Sequence, residues 1–435
     1  MAASTPHYSH TIDQDYKPTY QAWLVVLTAA LFFFYEFVQM SMFNAISPEL
    51  MAAFGINGAQ FGNLSATYFY ADVLFLLPAG IILDRVSTRK LIVAAMLLCI
   101  ICTYIFAFAE SLTIAMIAHG LTGVGSAFCL LSCLKLASRW FPPRRMALIT
   151  GLVVTMAMLG GIVAQTPFAM LAKAIGWRHA VMANATLGIV LLMLIYNIVR
   201  DYPEGYKERF KFQDTALRAI GFWCSVGRAV RNLQVWLAGL YTSLINLPIF
   251  LLGQTWGTLY LLQVHHMTRA QAGNIPAMLF LGTIIGSPVF GWVSDRIGLR
   301  RVPMFVGGVL SLLTILLIVY VPILTYGMLL LLFLLLGFFT ASQVIGYPVV
   351  VESSSRILTA SSMGMASVLI MLGGTTEPIF GWLLDLHWNG HIVDGVRIFS
   401  RSDFHLAMLM MPIAFIAALG CTLLLRETHC KMKDE

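Results

Sequence analysis

Charged residues are scarce in this sequence. Only 11% of its 435 residues are Asp, Glu, Lys or Arg, whereas about 25% is usual in soluble domains. Hydrophobic residues make up 59%, against roughly 45–50% in soluble domains. The 16 prolines and 35 glycines are close to ordinary usage, which excludes collagenous and disordered classes. The composition therefore excludes a soluble globule and predicts a chain whose solvent is the lipid bilayer.

Motifs for catalysis, cofactors and metals are also lacking. The sequence has no phosphate-binding loop, no nucleophile elbow and no zinc spacing. Its seven cysteines fall mostly within apolar runs and do not suggest a disulfide framework. His387 and His391 are four residues apart, but the intervening Trp388-Asn389-Gly390 reads as a turn. We therefore expect no enzyme activity, no cofactor and no metal site.

Apolar runs between charged residues predict twelve membrane spans in two groups of six. A helical span needs about 20 apolar residues, and the runs are close to that length. The predicted fold is an all-α membrane protein with twelve transmembrane helices in two six-helix halves. Spans 1 to 6 are residues 22–45, 61–83, 91–109, 112–137, 146–172 and 178–199. Spans 7 to 12 are residues 233–262, 272–294, 302–323, 326–350, 358–384 and 405–425.

Basic residues predict which side of the membrane each loop occupies. With a cytoplasmic N-terminus, the inner segments hold 22 of the 27 Lys and Arg residues and the outer loops hold 5. The net charge of +7 therefore reflects topology and does not suggest nucleic acid. Residues 216–230 of the linker fit either an amphipathic helix on the headgroups or a solvated tether. The predicted division is a cytoplasmic tail 1–21, an N-terminal half 22–199, a cytoplasmic linker 200–232, a C-terminal half 233–425 and a cytoplasmic tail 426–435.

The two halves are related by an internal repeat. Residues 59–66 read AQFGNLSA and residues 270–277 read AQAGNIPA, at an offset of 211. The same offset continues without a gap into the segments Gly80–Lys90 and Gly291–Arg301, which read GIILDRVSTRK and GWVSDRIGLRR. Parallel repeats of this kind are typical of transporters whose halves are related by an axis along the membrane normal.

These two segments resemble the signature G-x-x-x-D-R-x-G-x-R-R/K of the major facilitator superfamily, in the loops after helices 2 and 8. The first copy departs from it by Ser87, where the second copy keeps Gly298. The resemblance implies alternating access of a solute site between two rocking halves, with loop residues that gate the cytoplasmic side. A purely topogenic role would explain the basic residues but not the Gly and Asp. The gating residues implied are Gly80, Asp84, Arg85, Arg89, Lys90, Gly291, Asp295, Arg296, Arg300 and Arg301.

Other motifs favour uptake over export. The fourth span fits R-x-x-x-G-x-G except that His119 replaces the arginine, and the Gly-Pro dipeptide of drug/proton antiporters is absent from the fifth span. The segments Trp140–Arg145 and Gly176–Arg178 resemble bacterial solute importers of the superfamily, with a looser likeness to its lysosomal peptide-carrier branch. We expect import driven by protons in the bacterial inner membrane.

Four ionisable residues lie inside predicted spans. A charge at mid-bilayer costs roughly 2.5–3.5 kcal/mol on insertion scales, so we expect each of them to have a functional or structural role. Glu36, Asp72, His119 and Glu377 are therefore candidates for proton coupling. Glu36 would carry a proton or bind a substrate amine, or else form a structural hydrogen bond as a neutral acid. Asp72 alternatively packs between the halves, and Glu377 alternatively bonds the backbone group that Pro378 frees. His119 is either a proton relay or a structural partner.

Polar residues on spans 1, 7 and 10 are candidates for substrate binding, because the resemblance implies that helices 1, 4, 7 and 10 line the cavity. Tyr68 is added because it forms a polar stripe with Ser65 and Asp72 on span 2. The candidates are Gln39, Tyr68, Asn246, Gln254, Trp256, Gln343 and Tyr347. Three membrane acids, with no arginine at mid-membrane, predict a zwitterionic, cationic or neutral solute such as an amino acid, small peptide or sugar-like molecule.

The predicted function is a proton-coupled importer of a small solute that acts as a monomer. The partners expected are the lipid bilayer, the solute and protons, without nucleic acid. One alternative is a proton-driven exporter of a metabolite, drug or siderophore, and another is a non-transporting sensor on the same fold.

Overall fold

The computed structural model describes residues 19–142, 145–203, 230–321, 323–354 and 359–431. Eleven helices in these ranges are long and apolar enough to cross a membrane. A further 28-residue helix, Gly58–Arg85, coincides with predicted span 2. The N-terminal tail, most of the linker and its possible amphipathic helix lie outside the described residues. We call the end of the molecule that carries the linker the cytoplasmic end and the opposite end the outer end, following the orientation that the basic residues predict.

Half of the spans in the described ranges are continuous helices. The continuous ones besides Gly58–Arg85 are Tyr20–Ala45, Thr88–Phe108, Trp177–Ile198, Arg269–Ile297 and Arg301–Tyr320. A short outer helix, Ser47–Phe54, follows span 1. These helices form because lipid offers the backbone N–H and C=O groups no hydrogen-bond partner, so the groups must bond one another within the helix.

The remaining spans are interrupted, several of them at prolines. Pro167 and Pro378 each lie in the first turn of a new helix, where a missing N–H group costs nothing. Span 7 contains a π-helical segment that follows Pro248. The helices of spans 4, 5 and 12 are Leu112–Ser126, Cys129–Trp140, Met146–Val163, Thr166–Ile175, Arg401–Met408 and Met410–Leu424. Span 7 consists of Leu233–Ile245, the π-helix Ile249–Thr255 and Gly257–Val264. Spans 10 and 11 consist of Tyr326–Thr340, Ala341–Ile345 (3-10) and Gly346–Glu352, then Thr359–Met371, Leu372–Thr376 (3-10) and Glu377–Asp385.

The internal repeat is present in the backbone. The helices of spans 2 and 8 both begin with a capping box, in which the N-cap side chain and the side chain of residue N3 bond each other's backbone N–H groups. The two pairs are Asn57 with Gln60 and Thr268 with Gln271, and each is separated from its counterpart by the offset of 211 found in the sequence. The two halves therefore share local geometry as well as sequence.

The outer loop before span 12 differs from the all-α expectation. It forms a two-stranded antiparallel hairpin of Ile392–Val393 and Val396–Arg397. Asp394 and Gly395 connect the strands with positive φ angles of 50° and 78°, which is the backbone that an Asp-Gly hairpin turn requires. Span 12 also begins at Arg401, four residues earlier than expected.

At the outer end, the two halves meet along two seams of closely packed backbone. In the 2–11 seam, span 2 packs against span 11, and a Cβ atom on Gly62 would lie 2.4 Å from the backbone oxygen of Glu377. In the 5–8 seam, span 5 packs against span 8, and a Cβ atom on Gly273 would lie 2.8 Å from Oγ1 of Thr166. Glycine lets helices approach this closely because it has no side chain. The outer end is therefore closed in this structure.

Candidate functional site

Glu36 and Asp72 form a buried acidic pair in the N-terminal half. Tyr68 donates a hydrogen bond of 3.0 Å to Oε2 of Glu36, and Oε1 of Glu36 has no partner. Asp72 lies one helical turn from Tyr68, is 1% exposed, and has no hydrogen-bond partner for either oxygen. The sequence from residue 20 to residue 83 contains no Lys or Arg. Residues 20–83, which include most of both helices, therefore supply no cation to offset these two carboxyl groups.

Gln39 and His119 lie beside this pair, but they face different neighbours. Gln39 donates a hydrogen bond of 2.6 Å to Oγ1 of Thr103 on span 3. Gln39 lies three residues from Glu36, a spacing that places both on one side of the helix. The His119 ring packs 4.2 Å from the Phe43 ring and 5.4 Å from the Tyr68 ring, measured between centroids.

Asn44 joins the halves near the outer end and was not predicted from the sequence. Its Nδ2 donates to Oε1 of Gln165 at 2.8 Å and to the Gly253 oxygen at 3.3 Å. Its Oδ1 accepts from the Thr258 N–H at 2.7 Å, while Gln165 donates to the same Gly253 oxygen at 2.8 Å. Two amides of the N-terminal half therefore satisfy backbone groups that the π-helical break in span 7 leaves free.

Glu377 forms a second link between the halves. Its side chain is fully buried and its Oε1 accepts a hydrogen bond of 2.6 Å from Thr255 of span 7. The Thr255 hydroxyl lies 3.2 Å from the Ser65 hydroxyl of span 2. Oε2 of Glu377 has no partner. The predicted bond to a backbone group freed by Pro378 is not what holds this side chain, because the Thr255 hydroxyl reaches it instead.

Two of the predicted substrate residues in span 7 are buried with unused polar groups. Both amide atoms of Gln254 and Nε1 of Trp256 lack hydrogen-bond partners. The Trp256 ring lies between Phe61 of span 2 and Phe380 of span 11, at centroid distances of 5.0 and 5.6 Å. Buried polar groups without partners are uncommon in folded proteins, which makes this stretch of span 7 a candidate for contact with a solute.

Asn246, Gln343 and Tyr347 lie apart from these groups, inside the C-terminal half. Gln343 donates a hydrogen bond of 2.7 Å to Oδ1 of Asn246, and Tyr347 is half-buried one turn further along span 10. The predicted substrate residues are therefore distributed over three places: the acidic pair, the break in span 7 and the contact between spans 7 and 10.

Charged contacts also cross between the halves at the outer end. Asp385 accepts from the backbone N–H groups of Gly58 and Ala59, at 3.1 and 2.8 Å, and so caps the start of span 2 from the other half. Arg397 of the outer hairpin bonds the same carboxylate at 3.1 Å. Glu49 of the N-terminal half and Arg269 of the C-terminal half form an ion pair across the halves. These outer contacts were not predicted from the sequence.

The second copy of the loop signature forms a network within the C-terminal half. Arg300 pairs with Asp295 at 2.6 Å and with Glu352, at the cytoplasmic end of span 10, at 2.7 Å. Arg301 donates to the Thr422 and Leu423 oxygens at 3.0 Å. Gly291 has open space where a Cβ would lie, and Arg296 lies over the Trp292 ring. The contacts of Arg300 and Arg301 fix the ends of spans 9, 10 and 12 together.

The first copy of the signature is anchored by a carboxylate that was not singled out. Asp201 accepts from the Arg89 N–H at 2.9 Å and from the Ser87 hydroxyl, so it caps span 3. Gly80 also has open space at its Cβ position, and Lys90 is exposed. The side chains of Asp84 and Arg85 lie outside the described residues.

Glu427 occupies the corresponding place in the C-terminal half. It accepts from the N–H groups of Arg300 and Arg301 at 2.7 and 3.0 Å. Burial by itself would raise the pKa of Glu427, but these backbone donors outweigh it and lower that pKa. Asp201, together with the Ser87 side chain, therefore caps the start of span 3, and Glu427 caps the start of span 9. Asp295 instead pairs with a nearby arginine, Arg300.

Comparison with known proteins agrees with this architecture. The family model described as Major Facilitator Superfamily matches residues 28–375 and 241–434. The chain therefore belongs to the major facilitator superfamily, as the loop signatures suggested.

Three relatives of this chain are named for different functions, one as a sensor and two as transport proteins. The membrane sensor protein UhpC of Salmonella typhimurium is 24% identical, with 97% of this chain and 96% of that protein covered. The gentisate transporter of Corynebacterium glutamicum is 23% identical, with 92% and 87% covered. A probable hexose phosphate transport protein of Chlamydia pneumoniae is 22% identical, with 67% and 69% covered.

Solved structures show the same fold. A bacterial homologue of the human lysosomal transporter Spinster, in an inward-facing and occupied conformation, has a TM-score of 0.74 at 16% identity, with 94% of this chain and 97% of that chain covered. A point mutant of the nucleoside transporter NupG has a TM-score of 0.70 at 13% identity, with 92% and 99% covered.

Proposed function

We propose that this protein imports a small solute by alternating access, coupled to protons through Glu36. The buried pair of Glu36 and Asp72 carries the proposal. One oxygen of Glu36 and both oxygens of Asp72 have no hydrogen-bond partner, and an unpaired ion at such a place costs several kcal/mol. A carboxyl group there is stable when it holds a proton, and it can release the proton when water enters during the transport cycle.

The proposed solute is zwitterionic, cationic or neutral. Spans 1, 7 and 10, as predicted, contain no Lys or Arg, and in span 4 the only one is Lys135 near the cytoplasmic end. A carboxylate or phosphate solute would need a cation to offset its desolvation. Glu36 and Asp72 instead suit an amine, while Gln254 and Trp256 offer unused hydrogen-bonding groups to hydroxyls or amides.

The proposal includes the remaining parts of the predicted architecture. These are twelve spans with both termini in the cytoplasm, the halves 22–199 and 233–425 joined by the linker 200–232, and a monomer in a bacterial inner membrane. The even number of spans and the basic residues on one side support this arrangement.

The test uses purified protein in liposomes loaded with a pH-sensitive dye. Amino acids, dipeptides, sugars, amines, hexose phosphates and aromatic acids are supplied in turn from outside. We expect proton entry with a solute from the first four classes. Glu36→Gln should abolish gradient-driven accumulation, by at least about tenfold, while solute exchange continues. Glu110→Gln, the same change at an exposed outer residue, is the matched control and should accumulate normally. Unchanged accumulation in Glu36→Gln would remove Glu36 from the mechanism.

Two rival functions have specific support. The relatives named for hexose phosphate and gentisate point to organic anions, so uptake of those solutes alone would overturn the proposed substrate class. The relative named as a membrane sensor supports a sensor that binds a ligand without moving it. Saturable binding without flux in the same liposomes would favour the sensor. An exporter would instead accumulate solute inside inverted vesicles.

A further inference from the structure

We propose that Glu377 is a proton-operated latch of the outer gate. It takes up a proton from the outer solution when the two halves close and returns it to the same side when they open. This proton is distinct from the one that crosses the membrane with the solute. The proposal rests on the alternating access proposed above, and it divides the predicted proton-coupling residues into two groups with different roles.

The latch is a chain of hydrogen bonds across three helices. Thr255 of span 7 donates to Glu377 of span 11 at 2.6 Å. A hydroxyl has a single hydrogen to donate, so the contact of 3.2 Å between Ser65 of span 2 and Thr255 requires Ser65 to be the donor. The chain therefore runs from Ser65 through Thr255 to Glu377, and it links the N-terminal half to the C-terminal half only while the outer end is closed.

The second oxygen of Glu377 makes the closed state sensitive to protonation. Oε2 has no hydrogen-bond partner, and the side chain is fully buried. An ionised carboxylate would leave a charge with an unsolvated oxygen, whereas a protonated one would not. Glu377 begins the helix Glu377–Asp385, and the dipole of that helix favours the anion. This effect is weaker than the loss of water around a buried charge.

In the part of the chain that the structure describes, no cation of a neighbouring helix pairs with Glu377. From span 2 the phenol of Tyr70, which hydrogen-bonds Asn63, interacts electrostatically with Glu377. The sequence of span 7 from residue 233 to residue 264 contains no Asp, Glu, Lys, Arg or His. On the same helix, Asp385 lies two turns away and is paired with Arg397.

The charged groups of span 12, which packs against this helix, are engaged elsewhere. Arg401 donates to the Val321 oxygen at 3.1 Å. Asp403 accepts from the N–H and hydroxyl of Ser400 at 2.7 Å, and His405 packs beside the Tyr320 ring. Protonation is therefore the way in which Glu377 becomes neutral in the closed state.

Packing above and below Glu377 explains why the proton returns to the outer side. Toward the outer end, the rings of Phe61, Trp256 and Phe380 cover the latch, and Phe61 belongs to the other half. Toward the cytoplasm, Phe69 and Phe250 pack at 5.2 Å between centroids. Separation of the halves at the outer end pulls Phe61 away and admits outer water to Glu377. Opening at the cytoplasmic end leaves these contacts in place.

The direction in which outer pH shifts the outer gate follows from the burial of Glu377 in the closed state. The closed state binds the latch proton more tightly than the open, hydrated state, so low outer pH favours closure and high outer pH favours opening. Replacing the carboxyl by an amide, which is always neutral, should hold the outer end closed at every pH.

The experiment measures outer opening directly and needs no solute. Thr258→Cys is the reporter, because Thr258 is fully buried near Asn44 and its hydroxyl has no partner. The full chain in right-side-out vesicles is labelled with a membrane-impermeant maleimide from about pH 6 to about pH 9. Each rate is divided by that of Ala53→Cys, an exposed outer position, which removes the intrinsic pH dependence of the thiol. The unsubstituted protein gives the background of the native cysteines.

With Glu377 present, we expect the normalised rate to rise at least roughly fivefold with pH. Glu377→Gln should make it low and constant. Tyr70→Phe, the matched control, should keep the rise, and Glu377→Asp should also keep it, which separates loss of titration from misfolding. The latch would be overturned if the normalised labelling rate did not change with pH while Glu377 is present. It would also be overturned if the rise with pH persisted in Glu377→Gln. The labelling experiment does not measure flux, so a negative result there would not contradict proton-coupled import. Likewise, a failure to detect solute flux in liposomes would not contradict the latch.

Discussion

The 2–11 seam and the 5–8 seam are built on the same frame but carry different chemistry. The offset of 211 places Gly62 on Gly273 and Thr166 on Glu377, so each seam pairs a glycine with the first residue of a helix that restarts before a proline. In the 5–8 seam, Thr166 donates a hydrogen bond of 2.6 Å to Asn274. In the 2–11 seam, the corresponding position is a buried carboxyl group.

Asp385 sharpens this difference. It caps span 2 from across the 2–11 seam, and the offset places it on Ala174, which cannot do the same in the 5–8 seam. The repeat therefore supplies two equivalent surfaces for rocking, and of the two corresponding positions 166 and 377 the second holds a buried carboxyl group. The 2–11 seam can respond to protons through the buried carboxyl group of Glu377, whereas the corresponding residue of the 5–8 seam, Thr166, makes an uncharged contact with Asn274.

The largest expected difference between the seams comes from their glycines. At Gly62 an added Cβ would meet backbone atoms of Glu377 and Pro378 at 2.4 and 2.8 Å. At Gly273 it would meet the Thr166 hydroxyl at 2.8 Å, and backbone only at 3.1 Å. A side-chain end can move aside but a helix backbone cannot. Gly62→Ala should raise the labelling of Thr258→Cys roughly tenfold by holding the outer end open.

Gly273→Ala is the comparison for that variant. We expect it to raise labelling by about two- to threefold, since Thr166 can rotate. Equal effects of the two alanines would contradict the idea that the 2–11 seam is the more rigid contact. Solute uptake, measured in parallel, should fall in the same order.

A smaller effect is expected at Asp385. Asp385→Asn keeps the shape of the side chain but removes the charge that both the span 2 N–H groups and Arg397 contact. The closed state should lose about 1 kcal/mol, which corresponds to roughly a fivefold rise in the open-to-closed ratio. Arg397→Gln removes the ion pair and leaves the cap, so its effect should be smaller. An equal effect of both variants would show that the hairpin, and not the cap, holds the seam.

Sequence reasoning identified the repeat, the loop signatures and the membrane carboxyl groups. These features depend on local composition and on a constant offset, which a sequence displays directly. The same offset could also have flagged Thr166 as the counterpart of Glu377, and Thr255 as the counterpart of Asn44.

The contacts between the halves were beyond that reasoning. Asn44 bonds Gln165 and Gly253, which are 121 and 209 residues away. Such contacts depend on how the helices are arranged in space, and on the π-helical break that frees the backbone of span 7.

The smallest expected effect lies at the cytoplasmic end, where the repeat is kept. Glu427 caps span 9 as Asp201 caps span 3. Glu427→Gln should lower the free energy of unfolding by about 0.5–1 kcal/mol at neutral pH, measured by thermal unfolding in detergent. The pKa of Glu427 is lowered in the folded protein, so its stabilisation is present above the ordinary carboxyl value and is lost as the pH falls through the lowered one. The difference from the unsubstituted protein should therefore disappear in acid.

Asp201→Asn should cost a similar amount, because it removes the corresponding cap. Both variants should leave labelling of Thr258→Cys unchanged, since neither carboxylate lies at a seam. A change in outer labelling from either one would mean that the cytoplasmic caps are coupled to the outer gate, and that the asymmetry between the seams is transmitted through the whole length of the helices.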